Sequence, residues 1–335
     1  MEKFKEIYKN ITQCRICSSS DLSEVLYFKP QYLHSLFVKS NEGHPLANVK
    51  IPMTIMLCGD CGMLQIKEIV NPDIMYNDYF YRTSVNDTMK NDLKGLVNEC
   101  VRRCESDSEH PTVIDVGTND CAMLRMFPDY WNRIGVEPAK NINWSEARKE
   151  GCFIFNDYFS AELFQPWIFP KFTGADVITC CACFYDMNEP NKVTSDIKKL
   201  LKPAGIAVIQ VSYLLNTIKD MNYYDYTFEH LLYFSFETFE ELMNKNGLSV
   251  FDCELNDVNG GSICFYITHM ERNISKTSRC KKISANERKY KLNNSQTYKN
   301  FQTEIQINSK KIYDYIVEEN KIGLVVGIGP STKGN

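Results

Sequence analysis

The segment Val113-Ile-Asp-Val-Gly-Thr-Asn-Asp-Cys121 begins as a run of buried-strand residues and continues past an acid and a glycine. A strand that ends in this way and opens a helix forms a turn that accepts an anion or a cofactor. Only one glycine, Gly117, is present, so the segment is not a GxGxxG fingerprint. In a purely structural interpretation, Thr118 or Asn119 caps the helix. The segment predicts the first strand and the ligand turn of an α/β domain.

Strands and helices alternate on both sides of this segment. This alternation predicts a parallel, doubly wound sheet, closed by an antiparallel pair. The expected strands cover residues 133–136, 175–181, 206–211, 248–256 and 262–269. The expected helices cover 193–201, 236–246 and 300–320, with helical residues after the first strand, a helical lead-in over 71–105 and a turn at 203–205. Residues 271–300 are polar and predict a solvated connection, and 324–327 predict a strand entering the glycine-rich turn 327–334.

Two further acids follow the ligand turn in order. The second strand ends at Glu137, directly before Pro138, and Asp157 comes twenty residues later. An acid at the tip of the second strand binds ribose hydroxyls in doubly wound folds. Asp157 is then placed to reach an adenine. The ordered set, with Asp115 and Gly117, predicts an adenosine-type ligand.

Two Cys-x-x-Cys turns precede this domain: Cys14 with Cys17, and Cys58 with Cys61. Each turn brings two thiolates together, and two such turns complete a tetrahedral zinc site. Four buried or free thiols, or a redox pair, are the alternatives. A shell of four cysteines leaves no open position, so the zinc it predicts is structural.

His230 follows Glu229 directly and is flanked by aromatic residues. A histidine is the natural general base near neutral pH, and a neighbouring carboxylate orients it or raises its pKa. A packed structural histidine is the alternative. Of the other four histidines, we expect those at 34, 44 and 110 in polar surroundings and the one at 269 at a strand end. The run Asn259-Gly260-Gly261-Ser262 predicts either a hairpin turn or a backbone that passes close to a ligand.

The overall composition disfavours some classes of binding partner. The 38 Lys and Arg against 42 Asp and Glu give a net charge of -4, which disfavours a nucleic acid or an anionic membrane as the main partner. No apolar run is long enough to span a bilayer, and the N-terminus lacks an export signal. The fourteen cysteines are then expected to be thiols and metal ligands in a reducing cytoplasm.

These motifs occur together and in order, and in this the chain resembles the zinc-containing, S-adenosylmethionine-dependent sugar C-methyltransferases, which act on nucleotide-linked keto-sugars. The similarity runs from about Cys14 to Asn335. It rests on the paired cysteines, residues 115–121, Glu137-Pro138, the aromatic-Ser stretch Tyr79 to Ser84, Glu229 to Ser235, Asn259 to Ser262 and the glycine-rich end. Departures from the family pattern stand at Cys121, Thr227 and Asp186.

The resemblance implies three domains. Residues 1–70 would bind zinc, 71–270 would form a class I, Rossmann-like methyltransferase domain with its helical lead-in, and 271–335 would hold a linker helix and the start of a C-terminal α/β domain. That last domain helps to hold the nucleotide-sugar in the family. Its truncation implies impaired acceptor binding, or a second chain that completes it.

The resemblance also implies the chemistry. His230 would deprotonate the carbon beside a ketone, Glu229 would orient it, and Tyr79 or Tyr81 would stabilise the enolate that accepts the methyl group. S-adenosylmethionine, released as S-adenosylhomocysteine, would be bound by Asp115, Gly117, Thr118, Asn119, Asp120, Glu137, Pro138, Asp157 and Ser84. The keto-deoxysugar, an intermediate of surface-polysaccharide or natural-product synthesis, would contact Tyr233, Asn259, Gly260 and Gly261. An O- or N-methyltransferase, or a non-catalytic remnant that binds the donor, is the alternative.

Overall fold

The computed structural model describes residues 7–34, 46–165, 169 and 172–327. The strands are β1 Tyr8–Asn10, β2 Leu22–Tyr32, β3 Lys50–Cys58, β4 Leu64–Ile66, β5 Glu68–Val70, β6 Thr112–Val116, β7 Asn132–Val136, β8 Cys152–Phe155, β9 Ala175–Cys181, β10 Leu201–Ser212, β11 Leu232–Tyr233, β12 Leu248–Asn256 and β13 Ser262–His269. The α-helices are α1 Pro72–Tyr76, α2 Asp87–Arg103, α3 Ser145–Lys149, α4 Pro190–Leu200, α5 Leu214–Lys219, α6 Phe236–Lys245, α7 Ser278–Tyr290 and α8 Ser295–Ile322.

A seven-stranded sheet in the order β12-β13-β10-β9-β6-β7-β8 forms the centre of the molecule. Strands β8, β7, β6, β9 and β10 run parallel, and β13 pairs antiparallel with both of its neighbours. The chain moves outward from β6 in one direction through β7 and β8, and in the other through β9 and β10. Ligands of doubly wound sheets bind at such a switch point, beyond the carboxyl ends of the strands. The turn after β6 lies at this point.

A second, four-stranded sheet has the order β11-β4-β3-β2 and lies in the N-terminal region. Its edge strand β11 comes from the segment directly after His230, where Leu232 pairs with Gln65. Helix α8 packs on β2, and the Gln302 side chain accepts a hydrogen bond from the Tyr27 amide. The N-terminal sheet is therefore completed by residues far along the chain, and the segment that carries His230 is tied to it.

The structure confirms the alternating strands and the closing antiparallel pair, and corrects two local predictions. After β6 there is no α-helix but a single 3₁₀ turn, Leu124–Met126, because Asn119 and Cys121 adopt left-handed backbone angles and Phe127 precedes Pro128. Residues 203–205 lie inside β10, where the pairing with β9 shifts register, instead of forming a separate turn.

The C-terminal part differs more from the predictions. The polar segment 271–300 contains α7, which packs on α6 and β12 and buries Cys280 and Glu287. The Glu287 carboxylate accepts hydrogen bonds from the first amides of α6, where the helix dipole favours negative charge. Residues 324–327 are not a strand, and most of the turn 327–334 lies outside the described residues. Within the described ranges, no helix is both long and apolar enough to cross a membrane.

Candidate active site

The two Cys-x-x-Cys turns meet in one cluster. The Sγ atoms of Cys14 and Cys61 lie 3.6 Å apart, those of Cys17 and Cys58 lie 3.5 Å apart, and all four fall within 4.8 Å of one another. Thiolates held at about 2.3 Å from a tetrahedral zinc ion are separated by about 3.8 Å, so the cluster fits that ion. The Gln65 side chain donates to the Cys14 sulfur, as outer groups of a metal site do.

The first cysteine turn is bonded to residues at the carboxyl edge of the seven-stranded sheet. The half-buried Arg15 side chain donates to Gln65, to the carbonyl of Ile66 and to the side chain of Asn188. The Asn191 side chain at the start of α4 donates to the carbonyls of Arg15 and Ile16. Zinc at this position would therefore fix the loop between β9 and α4 as well as its own turns.

A cavity of about 970 Å³ lies at the carboxyl ends of β6, β7 and β9. Most of the residues that the sequence predicts for donor binding or for proton removal line this one cavity. Those that line it are Tyr79, Tyr81, Asp115, Gly117, Thr118, Asn119, Glu137, Pro138, Asp157, Glu229, His230 and Asn259.

The turn after β6 is shaped for close approach of a ligand. Gly117 has φ +70°, and a β-carbon there would lie 2.7 Å from the Cys183 sulfur, so only glycine fits without strain. One oxygen of Glu137 accepts from the Asn119 amide at 2.8 Å, and the other accepts from the Ala139 amide at 3.0 Å. This carboxylate at the tip of β7 both orders the turn and faces the cavity.

Asp115 is buried under the same turn. It accepts a 2.7 Å hydrogen bond from the Thr179 hydroxyl of the neighbouring strand. Burial raises the pKa of Asp115 to about 6, because the carboxylate has lost most of its water. A cationic ligand group at this position would lower this pKa and favour the charged form further.

Glu229 and His230 of the base motif line the same cavity. His230 is buried, and its ring packs on Tyr185 with the ring centroids 4.2 Å apart. The carboxylate that approaches the imidazole is that of Asp225, whose Oδ1 lies 3.4 Å from Nδ1. The sequence had assigned this place to Glu229, which also lines the cavity.

Two further groups that line the cavity favour protonated forms. Burial raises the pKa of Tyr79 well above its ordinary value, and the charges of Glu229 and Asp186 raise it further. Burial likewise raises the pKa of Asp186, with the charge of Glu229 next in effect. A neutral Tyr79 hydroxyl in the cavity is a hydrogen-bond donor for an oxygen that gains negative charge.

Five predicted residues do not line the cavity. Asp120 accepts a hydrogen bond from the Ser84 amide, so the two brace each other behind the donor turn. Tyr233 is buried in β11 against Tyr226, at a centroid distance of 4.6 Å. Gly260 and Gly261 have left-handed backbone angles and leave no room for a β-carbon beside Tyr224 and Asn216, so they serve the turn between β12 and β13.

Two residues near the base were missed by the sequence analysis. Asp225 carried no recognisable pattern, because its approach to His230 depends on how residues 222–230 turn back. His34 was expected in polar surroundings but is buried, packs on Phe228 and accepts a 3.0 Å hydrogen bond from the Phe228 amide through Nδ1. Burial lowers the pKa of His34 to about 4, and the proximity of His230 adds to this. Its only sequence signal was the residue type.

Comparison with known families accounts for nearly the whole chain. A model of a zinc binding domain matches residues 14–76, a methyltransferase domain model matches 86–252, and a C-methyltransferase C-terminal domain model matches 257–335. Among curated proteins, the chain is 26% identical over 336 residues to the C-methyltransferase NovU from Streptomyces niveus. That match covers 99% of this chain and 78% of the relative.

Two solved structures that share a limited similarity with part of the chain are named as methyltransferases. The mitomycin 7-O-methyltransferase MmcR is 15% identical over 56% of this chain and 55% of that one, with a TM-score of 0.42. The magnesium protoporphyrin IX methyltransferase ChlM from Synechocystis PCC 6803, solved with S-adenosylhomocysteine, is 9% identical over 55% of this chain and 88% of that one, also at 0.42. By its three matched domains and its four-cysteine cluster, the chain belongs to the zinc-containing, S-adenosylmethionine-dependent C-methyltransferases.

Proposed function

We propose that this enzyme methylates a carbon next to the ketone of a nucleotide-linked keto-deoxysugar, in surface-polysaccharide or natural-product sugar synthesis. The observation that carries the proposal is that His230 and the donor turn at Gly117 line one cavity. A base and a methyl donor must meet at a single acceptor atom for methylation of a carbon acid. The similarity to NovU supports the carbon acceptor.

Two groups of cavity residues have different roles in this proposal. Asp115, Gly117 and Glu137 hold the donor, which supplies an electrophilic methyl group when bound. His230 takes the proton from the acceptor carbon, and the neutral Tyr79 hydroxyl donates a hydrogen bond to the enolate oxygen. Tyr81 orders the donor turn instead, because its carbonyl accepts from the Asn119 side chain. Alignment of the acceptor carbon with the methyl group is then the main contribution of the site.

The charges that line the cavity are better suited to the sugar of such an acceptor than to its diphosphate. Among the described lining residues, Lys192 is the one lysine or arginine, against several carboxylates. An uncharged sugar ring needs no cation, whereas a diphosphate does. We therefore place the sugar in this cavity and assign the nucleotide to the C-terminal segment, within a division into 1–70, 71–270 and 271–335. A cytoplasmic location, where thiols stay reduced, accords with the cysteine content.

A panel of nucleotide-linked keto-deoxysugars incubated with S-adenosylmethionine tests the proposal. Mass spectrometry is expected to show a gain of one methyl group, and carbon NMR to place it on a ring carbon beside the ketone. The control is the matched panel of sugars in which the ketone is reduced to an alcohol. It should give no product, because the carbon next to an alcohol is not acidic. Methylation of an oxygen or a nitrogen, or product from the reduced sugars, would contradict the proposal.

A further inference from the structure

Asp225 and His230 form a buried pair beside the cavity that His230 lines. Asp225 is 2% exposed and His230 is 7% exposed. Besides lying 3.4 Å from Nδ1 of His230, Oδ1 of Asp225 accepts from the Ser212 hydroxyl at 3.4 Å. Asp225 ends the 3₁₀ turn Tyr223–Asp225, and Ser212 ends β10, so the carboxylate is held from two elements.

The position of the carboxylate decides which nitrogen of His230 can act as a base. Nδ1 is buried without a hydrogen-bond partner, whereas the ring lines the cavity. An ionised carboxylate can only accept hydrogen bonds, so it favours the tautomer with hydrogen on Nδ1. The separation is slightly longer than an ordinary hydrogen bond, as is common for catalytic pairs before the substrate is bound.

The charge of Glu229 acts on other groups that line the cavity. Among neighbouring charges, that of Glu229 acts most strongly on Tyr79 and Asp186. Oδ1 of Asp225 lies 3.4 Å from Nδ1 of the imidazole. We therefore assign Asp225 to the imidazole and Glu229 to the surroundings of Tyr79 and Asp186.

We propose that Asp225 is the positioning residue that holds the hydrogen of neutral His230 on Nδ1 and leaves the lone pair of Nε2 facing the acceptor carbon. The proposal rests on His230 acting as the base of the proposed function. When Nε2 takes the proton from carbon, the imidazole becomes a cation and the electron pair passes to the enolate. The Asp225 carboxylate then stabilises that cation until the proton leaves.

Nitrogen NMR of the holoprotein labelled with ¹⁵N-histidine tests the proposal without any acceptor. The chain has five histidines, and His230→Gln identifies the signals of interest. At a pH where the ring is neutral, the parent is expected to carry hydrogen on Nδ1. Asp225→Asn is expected to yield a mixture of tautomers, because an amide can donate as well as accept. Glu229→Gln and the exposed Asp220→Asn are the matched controls and should keep the parental tautomer.

A kinetic measurement separates positioning from stability. With a dTDP-linked 4-keto-6-deoxyhexose as acceptor, Asp225→Asn should lower kcat by about 10²-fold while donor affinity stays at the parental value. Asp225→Glu retains the charge and should recover part of the rate. If Asp225→Asn does not fold, Asp225→Ser replaces it, and the same loss of kcat is expected.

The outcomes distinguish this inference from the proposed function. A parental ring with hydrogen on Nε2, or an unchanged tautomer and kcat in Asp225→Asn, would overturn the role of Asp225 alone. A parent that fixes the Nδ1 tautomer through Asp225 but methylates no keto-sugar would leave this pair in place and overturn the substrate.

Discussion

His34 links the N-terminal region to the base motif through one hydrogen bond. Its neutral Nδ1 accepts from the Phe228 amide, and burial lowers its pKa to about 4. In the unfolded chain the pKa of histidine is about 6.5, so between these values the unfolded state binds the proton more readily. The stabilisation is therefore complete above about pH 6.5 and is lost as the pH falls toward 4. The shift corresponds to about 3 kcal/mol of unfolding free energy.

Urea unfolding at pH 7.5 and pH 5 measures this contribution. His34→Asn is the matched variant, because its amide oxygen can still accept from Phe228 but does not titrate. The parent is expected to lose more stability than the variant over this interval. Asp115 and Glu287 act in the opposite sense, since burial raises their pKa values to about 6 and about 7, and the comparison cancels them. Equal losses in the two proteins would show that His34 does not contribute to the pH dependence of stability.

The residues of the site that the sequence predicted are those that lie in contiguous motifs. Gly117, Glu137 and His230 each stand in a short pattern whose chemistry is local. Asp225 and His34 could not be predicted, because their contacts depend on tertiary structure. The His34 bond to Phe228 joins residues 194 positions apart.

The turn between β6 and the 3₁₀ turn after it provides a test at the level of an element. Gly117→Ala places a methyl group 2.7 Å from the Cys183 sulfur in a left-handed backbone conformation. That conformation alone costs about 1–2 kcal/mol for a residue with a β-carbon. We expect lower stability and at least a tenfold loss of S-adenosylmethionine affinity by calorimetry.

Two further variants make this experiment specific. Gly95→Ala in α2 has open space around the new methyl group and should stabilise the protein by about 0.5–1 kcal/mol, with unchanged donor affinity. Adding Cys183→Ala to Gly117→Ala removes the steric contact but not the backbone strain, so recovery should be partial. Parental donor affinity in Gly117→Ala would show that this turn does not hold the donor.

Elements with clear periodicity were predicted, and those without it were not. The strands β12 and β13 matched their predicted bounds because their apolar runs are flanked by turn residues. Helix α7 was missed because it buries only Cys280 and Glu287 and presents polar residues elsewhere. The helix expected after β6 is replaced by a 3₁₀ turn, because the left-handed residues Asn119 and Cys121 compete with local helix propensity.

Zinc is expected to affect the whole molecule, because the first cysteine turn is bonded to α4 and the β9–α4 loop. Metal analysis should find one zinc ion per chain. Cys58→Ser should abolish it and lower the melting temperature by on the order of 10 °C, since a structural site contributes folding free energy. The half-buried Cys104 lies outside the cluster, and Cys104→Ser should retain the metal. Zinc-free protein with the parental melting curve would exclude a structural metal.

The proposed function requires His230 to remove a proton from carbon in the cavity that the Gly117 turn also lines. The direct measurement is deuterium incorporation from ²H₂O into a dTDP-linked 4-keto-6-deoxyhexose, followed by mass spectrometry with S-adenosylhomocysteine in place of the donor. The parent is expected to exchange the proton beside the ketone, and His230→Ala to slow this exchange about 10²–10⁴-fold at unchanged affinity for S-adenosylhomocysteine. His230→Phe, which restores aromatic packing but not basicity, should be equally slow. Parental exchange in His230→Phe would show that His230 is not the base.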